Sequence, residues 1–256
     1  MASPSKPKIK AVFFDFMGTC LDWHSSVTRA FPSTLTQQER SDLALEWRQA
    51  FFDDIRSQRP GNAPEDIDVA HARLLRVVLA RPANADVGQR FYEGWGGDKE
   101  AAEAAAVRAW HSMQAWPDVH AGLERLRSEY EGCELFVLAN GTTRLQLDLV
   151  RSSGLAPCFD LLFSSQLLGV AKPTPAIYRK ALDLVGLGDD DAAGRAVMVA
   201  AHAYDLRAAK AVGLQTVYIR RWTDDLDETD PDRLARENEG RILDDFAGLA
   251  DVIQRL

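Results

Sequence analysis

Cysteine is scarce in this chain: Cys20, Cys133 and Cys158 are all it has. An odd set without metal-ligand spacing argues against a disulfide framework and a cysteine-held zinc site, and fits a reducing compartment. Cys20 follows a Gly-Thr turn and is read either as an oxidisable thiol or as a small buried side chain. Long apolar runs are missing too, so no stretch is long enough to span a bilayer. No long basic run offsets the net charge of -8, the balance of 30 basic and 38 acidic side chains. Nucleic acid and an anionic membrane are therefore not the expected partners. A small anionic substrate stays compatible, because a few buried cations outweigh a weakly negative surface. The first eight residues lack the apolar stretch of a signal peptide and read as a short disordered tail. A cytoplasmic protein is the expectation.

What is present is a globular composition, with 46% hydrophobic and 27% charged residues over 256 positions. That length suffices for one large α/β core with a modest insertion. Apolar runs bounded by turn signals fall at 9–14, 134–138, 161–163, 196–200 and 215–219, and helical patterns at 143–153, 174–185 and 203–212 separate the later ones. Strands alternating with helices predict right-handed βαβ units and a parallel sheet covered on both faces. A last helix is expected over 246–256.

Between the first two strands, roughly a hundred residues read as helix only. Thr34 or Thr36 can cap a helix running to about Ser57, with Leu43, Trp47, Phe51 and Ile55 in one apolar row. Further helices are expected at 64–79, 85–95 and 98–114. Such a block inserted after the first strand predicts a helical cap over the sheet's carboxyl edge, with hinges near 21–25 and 115–118. The domain division expected is 1–22 with 118–256 as core and 23–117 as cap. The acidic stretch 224–232 is read as a solvated loop in preference to a metal site.

Four signals stand at strand ends or in the loops behind them. Ala11-Val12-Phe13-Phe14 runs into Asp15, with Gly18-Thr19 turning back over that carboxylate. Leu135-Phe136-Val137-Leu138-Ala139 ends in Asn140-Gly141. Gly169-Val170-Ala171-Lys172-Pro173 offers a lysine fixed by the following proline. Val197-Met198-Val199-Ala200-Ala201 runs into His202 and Asp205. The carboxyl ends of parallel strands are where α/β folds place their chemistry.

In this order the four resemble the motifs of the haloacid dehalogenase superfamily, over nearly the whole chain. The resemblance implies a doubly wound, Rossmann-like parallel sheet with an inserted helical cap, and Asp15 as a covalent nucleophile. Phosphatases of that superfamily carry a second aspartate two positions on, as general acid and Mg²⁺ partner; here that position is Met17. The pattern is most similar to the type II, or L-2-haloacid, dehalogenase branch. Trp47-Arg48-Gln49 matches its cap arginine, and Lys172-Pro173-Thr174-Pro175-Ala176-Ile177-Tyr178 its lysine and tyrosine. Arg48 also has Ala44 and Phe52 as its i−4 and i+4 neighbours, so it emerges beside the apolar stripe. It is read as an anion partner or as an arginine snorkelling from the cap edge.

The resemblance implies Asp15, Lys172 and Asp205 as catalytic, and His202, which stands at the fourth motif of this chain, is set with them. The same resemblance places Thr19, Arg48, Asn140, Tyr178, Phe16 and Met17 around the substrate, with no metal and no cofactor. Each residue also has a plainer reading. Asp15 would cap the Gly-Thr turn, Lys172 would lie on the surface, and Asp205 would cap the helix that follows. Asn140 would only make a turn, and Tyr178 would pack at the seam between core and cap. Trp23, Trp47, Trp95, Trp110 and Trp116 are read first as core, with one or two as pocket wall.

Two motifs depart from the branch. Its Ser-Asn-Gly is Ala139-Asn140-Gly141 here, and its Ser-Ser-Asn is Ala200-Ala201-His202. A lost hydrogen bond to a charged group costs about 1.5–3 kcal/mol, so an ordinary small haloacid should be held less well. His202 is read as an anion-binding imidazolium, as a base that delivers water, or as filler for the space beside the alanines. The activity implied is metal-independent hydrolysis of a small 2-haloacid, or a related organic acid, through an aspartyl ester. The alternatives are an enzyme of the same fold redirected to a non-halogenated metabolite, and a binding protein without catalysis. The resemblance also implies a homodimer as one state of assembly.

Overall fold

The computed structural model of the protein describes residues 9–57, 65–188 and 194–256. The predicted N-terminal tail lies outside them, as does the expected helix start at 64. Six strands form one parallel sheet in the order β5-β4-β1-β6-β7-β8. They are β1 Ala11–Phe14, β4 Glu134–Ala139, β5 Leu161–Ser164, β6 Ala196–Ala200, β7 Gln215–Ile219 and β8 Ile242–Leu243. A two-stranded antiparallel ribbon, β2 Leu21–Asp22 with β3 Gln114–Ala115, stands apart from it.

The central strands are apolar without alternation because both faces are covered. Val12 and Phe14 of β1 join one apolar cluster, with Leu135, Val137, Val197 and Val199 of the neighbouring strands. Ala11 and Phe13 join the other, with Phe136, Leu138 and Met198. Helices α6 Val119–Glu129, α7 Thr143–Ser152 and α12 Leu249–Arg255 feed the first cluster. A short turn α8 Ser165–Leu168, α9 Pro175–Leu184, α10 Ala203–Ala211 and α11 Pro231–Glu237 feed the second. The chain builds outward from β1 through β4 to β5, then crosses back to β6, so the order reverses at β1. That reversal opens a crevice at the carboxyl end of β1, where Asp15 stands.

The insertion after β1 is helical, as expected: α1 Trp23–Ala30, α2 Gln37–Ser57, α3 Ile67–Leu79, α4 Ala85–Glu93 and α5 Lys99–Ala109. Thr36 rather than Thr34 caps α2: Glu39 N donates to Thr36 Oγ1 (3.2 Å) and Thr36 N to Glu39 Oε2 (2.8 Å), a reciprocal capping box. Leu43, Trp47 and Phe51 of its apolar row are buried and Ile55 is half-buried. Two segments differ from expectation. Residues 23–25, read as part of a hinge, open the helix α1, because Asp22 accepts from Ser25 N at 3.0 Å and caps it. The helix expected to reach 114 ends at Ala109, because Gln114 and Ala115 pair with β2 where the block enters and leaves the core.

Phe14 is fully buried, with ring centroids 5.7 Å from Phe159 and 5.9 Å from Phe246. Phe14→Ala should lower the unfolding free energy by about 3–5 kcal/mol. A urea titration followed by circular dichroism measures this, and an unchanged midpoint would contradict the packing described.

Candidate active site

Asp15 follows β1 directly and its backbone N–H still donates to Val199 O (3.0 Å), so the strand pairing fixes its Cα. Its carboxylate is 6% exposed and fully engaged. Lys172 Nζ donates to Oδ1 at 2.8 Å, and Thr19 Oγ1 to Oδ2 at 2.7 Å. Thr19 in turn accepts from Ala201 N at 2.8 Å, which ties the β1 turn to the end of β6. Gly18 makes the turn possible with φ at +88°. A Cβ there would also fall 2.6 Å from the Asp224 carboxylate.

Lys172 is buried and reaches a second carboxylate, Asp205 Oδ2, at 2.5 Å. Asp205 Oδ1 accepts from Tyr178 Oη, also at 2.5 Å. Asn140 holds the lysine's backbone from both sides, accepting from Lys172 N (2.8 Å) and donating to Lys172 O (3.1 Å). The readings of Lys172 as a surface side chain and of Asp205 as a helix cap therefore do not describe the fold. Asp225 Oδ2 instead accepts from Ala203 N at the start of α10.

Burial favours the neutral form of Asp15, but Lys172, then His202, and the hydrogen bonds from Lys172 and Thr19 hold its carboxyl below the ordinary value. Burial pushes Asp205 upward, and Asp15 adds to that push while Lys172 opposes it. Of the two carboxyls sharing one ammonium, Asp15 is the one whose ionised form its surroundings favour more. Burial lowers Lys172, but the two carboxylates outweigh it and hold it above its usual range.

Arg48 is buried, not snorkelling. Its guanidinium carbon lies 4.6 Å from the Phe52 ring centroid and 5.4 and 5.6 Å from those of Trp23 and Trp110, a cation among aromatic faces. Its Nη2 donates to Met17 O at 3.4 Å and stands 3.8 Å from Asp224 Oδ1. His202 Nε2 lies 3.6 Å from Asp15 Oδ2, 3.6 Å from Asp224 Oδ1 and 3.4 Å from Met17 O. Burial alone would lower His202, but Asp225, Asp224 and Asp15 raise it to about 9. At neutral pH the ring is a cation, which favours the anion-binding reading over a base.

A narrow cavity joins these groups, lined by Asp15, Met17, Ala139, Asn140, Lys172 and His202 of the core and by Arg48, Phe51, Phe52, Ile55 and Ile67 of the helical block, with Tyr204. Thr19, Phe16, Tyr178 and Asp205 are buried behind this wall and do not line it. Trp23 and Trp110 lie in the core, as read first, and serve the site through Arg48. Cys20 is likewise buried, its Sγ 3.4 Å from Asp15 O.

The acidic stretch is the correction. Asp224, expected in a solvated loop, is 5% exposed, because Trp23 Nε1 (3.2 Å) and Thr223 Oγ1 (2.6 Å) donate to its Oδ2 and the open side of Gly18 admits it. The signal for it is positional: a carboxylate pair just beyond the apolar run 215–219, in the loop at the end of the strand that pairs with β6. The alternative once weighed for this stretch, a metal site, gains no support: among the described residues no group of three or more metal-binding side chains converges. Nor do the residues around Asp15 fit Mg²⁺, since Lys172 and His202 already crowd its oxygens with positive charge and Met17 contributes a thioether.

Fold and site together define a doubly wound α/β protein with an aspartate, held toward its ionised form, at the sheet's switch point under a helical cap. The chain belongs to the haloacid dehalogenase-like hydrolase family, whose model matches residues 9–213. It is 26% identical over 227 residues to haloacetate dehalogenase H-2 of Moraxella sp. (strain B), covering 86% of this chain and 90% of that one. The crystal structure of an L-2-haloacid dehalogenase superposes with a TM-score of 0.73 at 29% identity, covering 97% of this chain and all of that one. Phosphoserine phosphatase of Thermus thermophilus is 31% identical over 149 residues, 57% of each chain. Among the described residues no helix is long and apolar enough to cross a membrane.

The His202 shift has a stability consequence. A group raised in the folded state stabilises fully below its unfolded value, near 6.5, and the contribution is lost as pH rises through about 9. The urea midpoint should therefore fall between pH 6.5 and 9.5, and fall less in His202→Gln. Equal slopes in the two proteins would contradict the charge assignment.

Proposed function

We propose that the protein is a dehalogenase-type hydrolase that acts on a short 2-haloacid through Asp15, without a metal ion. The observation that carries the reading is Asp15, hydrogen-bonded by Lys172, at a narrow pocket walled in part by Phe51, Phe52, Ile55 and Ile67, in which Met17 stands where a phosphatase needs a second carboxylate. Its carboxylate attacks the carbon that bears the halogen; the C–X bond breaks with its electron pair and an aspartyl ester forms. The departing halide is received on the side of Arg48, among aromatic faces in a water-poor space where a fixed cation replaces lost hydration. Water then attacks the ester carbonyl of Asp15. The C–O bond to the enzyme breaks, and the hydroxy acid, a proton and the free carboxylate result.

Lys172 steadies the charge on Asp15 through both steps. Asp205 acts through Lys172 and Tyr178, with both its oxygens already engaged. Phe51, Phe52, Ile55 and Ile67 restrict the chain length of the substrate and keep bulk water from the ester. The related haloacetate dehalogenase and L-2-haloacid dehalogenase support this reading, and the phosphatase relative makes phosphate-ester hydrolysis the competitor to test.

The test is halide release from chloro-, bromo- and fluoroacetate and from L- and D-2-chloropropionate, with EDTA present. Release that Asp15→Asn reduces by at least about a thousandfold is expected for the loss of a nucleophile. No halide from any of them, or Mg²⁺-stimulated hydrolysis of p-nitrophenyl phosphate, would overturn the reading.

A further inference from the structure

The loop after β7 brings two adjacent carboxylates to the two nitrogens of one buried histidine. Asp224 Oδ1 stands 3.6 Å from His202 Nε2, and Asp225 Oδ1 stands 3.7 Å from Nδ1. Asp225 is not placed there by an ordinary turn: its φ is +53°, in the left-handed region that non-glycine residues adopt at a cost. Its other oxygen accepts from Ala203 N and, at 3.3 Å, from Tyr218 Oη, so its carboxylate is anchored to α10 and β7 at once. The ring is also walled, with Phe52 edge-on at 5.0 Å and Tyr204 stacked at 5.7 Å. It cannot turn away from Asp15.

The ring's outward N–H is under-used. Its three neighbouring oxygens, on Met17, Asp15 and Asp224, lie at 3.4 to 3.6 Å, longer than the ~2.9 Å of a good N–H···O bond. Asp224 Oδ1, though buried, has no hydrogen bond of its own. His202 lines the cavity, so its N–H is set for a partner that enters there. Ala200 and Ala201 supply no hydroxyl there; beside Lys172 the cavity's cationic donors are His202 and Arg48, with Asn140 and Tyr204 as neutral ones.

We propose that Asp224 and Asp225 are positioning residues that hold His202 as a fixed cation over Asp15, where its Nε2–H receives the carboxylate of the substrate. The inference rests on the hydrolase reading for the identity of that carboxylate. Asp225 orients the ring from behind. Asp224 serves as shared counter-ion to His202 and Arg48, which lets two cations face one small anion without repelling each other out of the pocket. The groups that set the ring's charge are Asp15 at the end of β1, Asp224 and Asp225 after β7, Arg48 on α2, Lys172 after β5 and Tyr204 on α10.

The experiment compares the full chain with Asp225→Asn, which keeps an oxygen able to cap Ala203, and with Asp224→Asn. The first readout is the His202 ring itself, followed by NMR on ¹⁵N-histidine-labelled protein against pH. In the wild type the ring should stay protonated beyond pH 8, and in Asp225→Asn it should lose its proton at least one pH unit lower. The second is kinetic: KM for a 2-haloacid should rise about ten- to a hundredfold in Asp225→Asn, with a smaller change in kcat and an activity loss that begins at lower pH. A ring that titrates alike in all three proteins, or an unchanged KM, would overturn the proposal. Should the wild type release no halide, the hydrolase reading fails while the NMR titration still decides whether the two aspartates hold the ring.

Discussion

One buried ammonium organises the centre of this protein. Lys172 has almost no contact with solvent, and an isolated charge in that position costs several kcal/mol. It is tolerable only because Asp15 at the end of β1 and Asp205 on α10 meet it, and Asn140 after β4 grips its backbone. The same arrangement makes the carboxylates tolerable in return. Replacing any one member would strand the others, so the chemistry and the integrity of the sheet's carboxyl edge rest on the same contacts. Lys172, His202 and Thr19 together outweigh burial and hold the Asp15 carboxyl below its ordinary value.

Around that centre the charges alternate. Lys172, Arg48 and His202 are interleaved with Asp15, Asp205, Asp224 and Asp225, and each cation has a carboxylate within 4 Å. Farther back the same logic ties down the β1 turn. Arg221 Nε donates to Thr19 O at 3.2 Å while its other nitrogens grip Asp118 at 3.0 and 2.8 Å. Trp116 Nε1 donates to Gly18 O at 2.8 Å. The turn that carries Asp15 is thus held by residues from the far end of the insertion and from the loop after β7.

Much of this was legible in the sequence because strand ends announce themselves. An apolar run that stops on Asp15, Asn140 or His202 tells where the side chain stands, since a parallel strand leaves little choice of face or edge. The helical insertion was legible from the row Leu43, Trp47, Phe51 and Ile55. Asp224 was not legible, because a charged run usually solvates itself and its burial depends on Gly18 and Trp23, near the other end of the chain. The roles of Asp205 and Tyr178 behind the wall were hidden for a related reason: spacing brings them near Lys172 but does not say on which side of it. The helix at Trp23–Ala30 was missed because a short helix next to a crossover has no periodicity to read.

The apolar cluster on one face of the sheet runs without a break into the helical block: Val12, Phe14 and Phe16 belong to the same cluster as Trp47, Phe51 and Trp110. Apart from the charged groups around the cavity, the contact between the two halves is apolar. Any movement that widens the cavity by lifting α2 wets Phe51 and its neighbours, and hydrating apolar surface raises the heat capacity. Exchange of small molecules with the buried site is therefore coupled to the thermal behaviour of water at that seam. The rate of such opening follows a curved temperature dependence instead of a simple Arrhenius line.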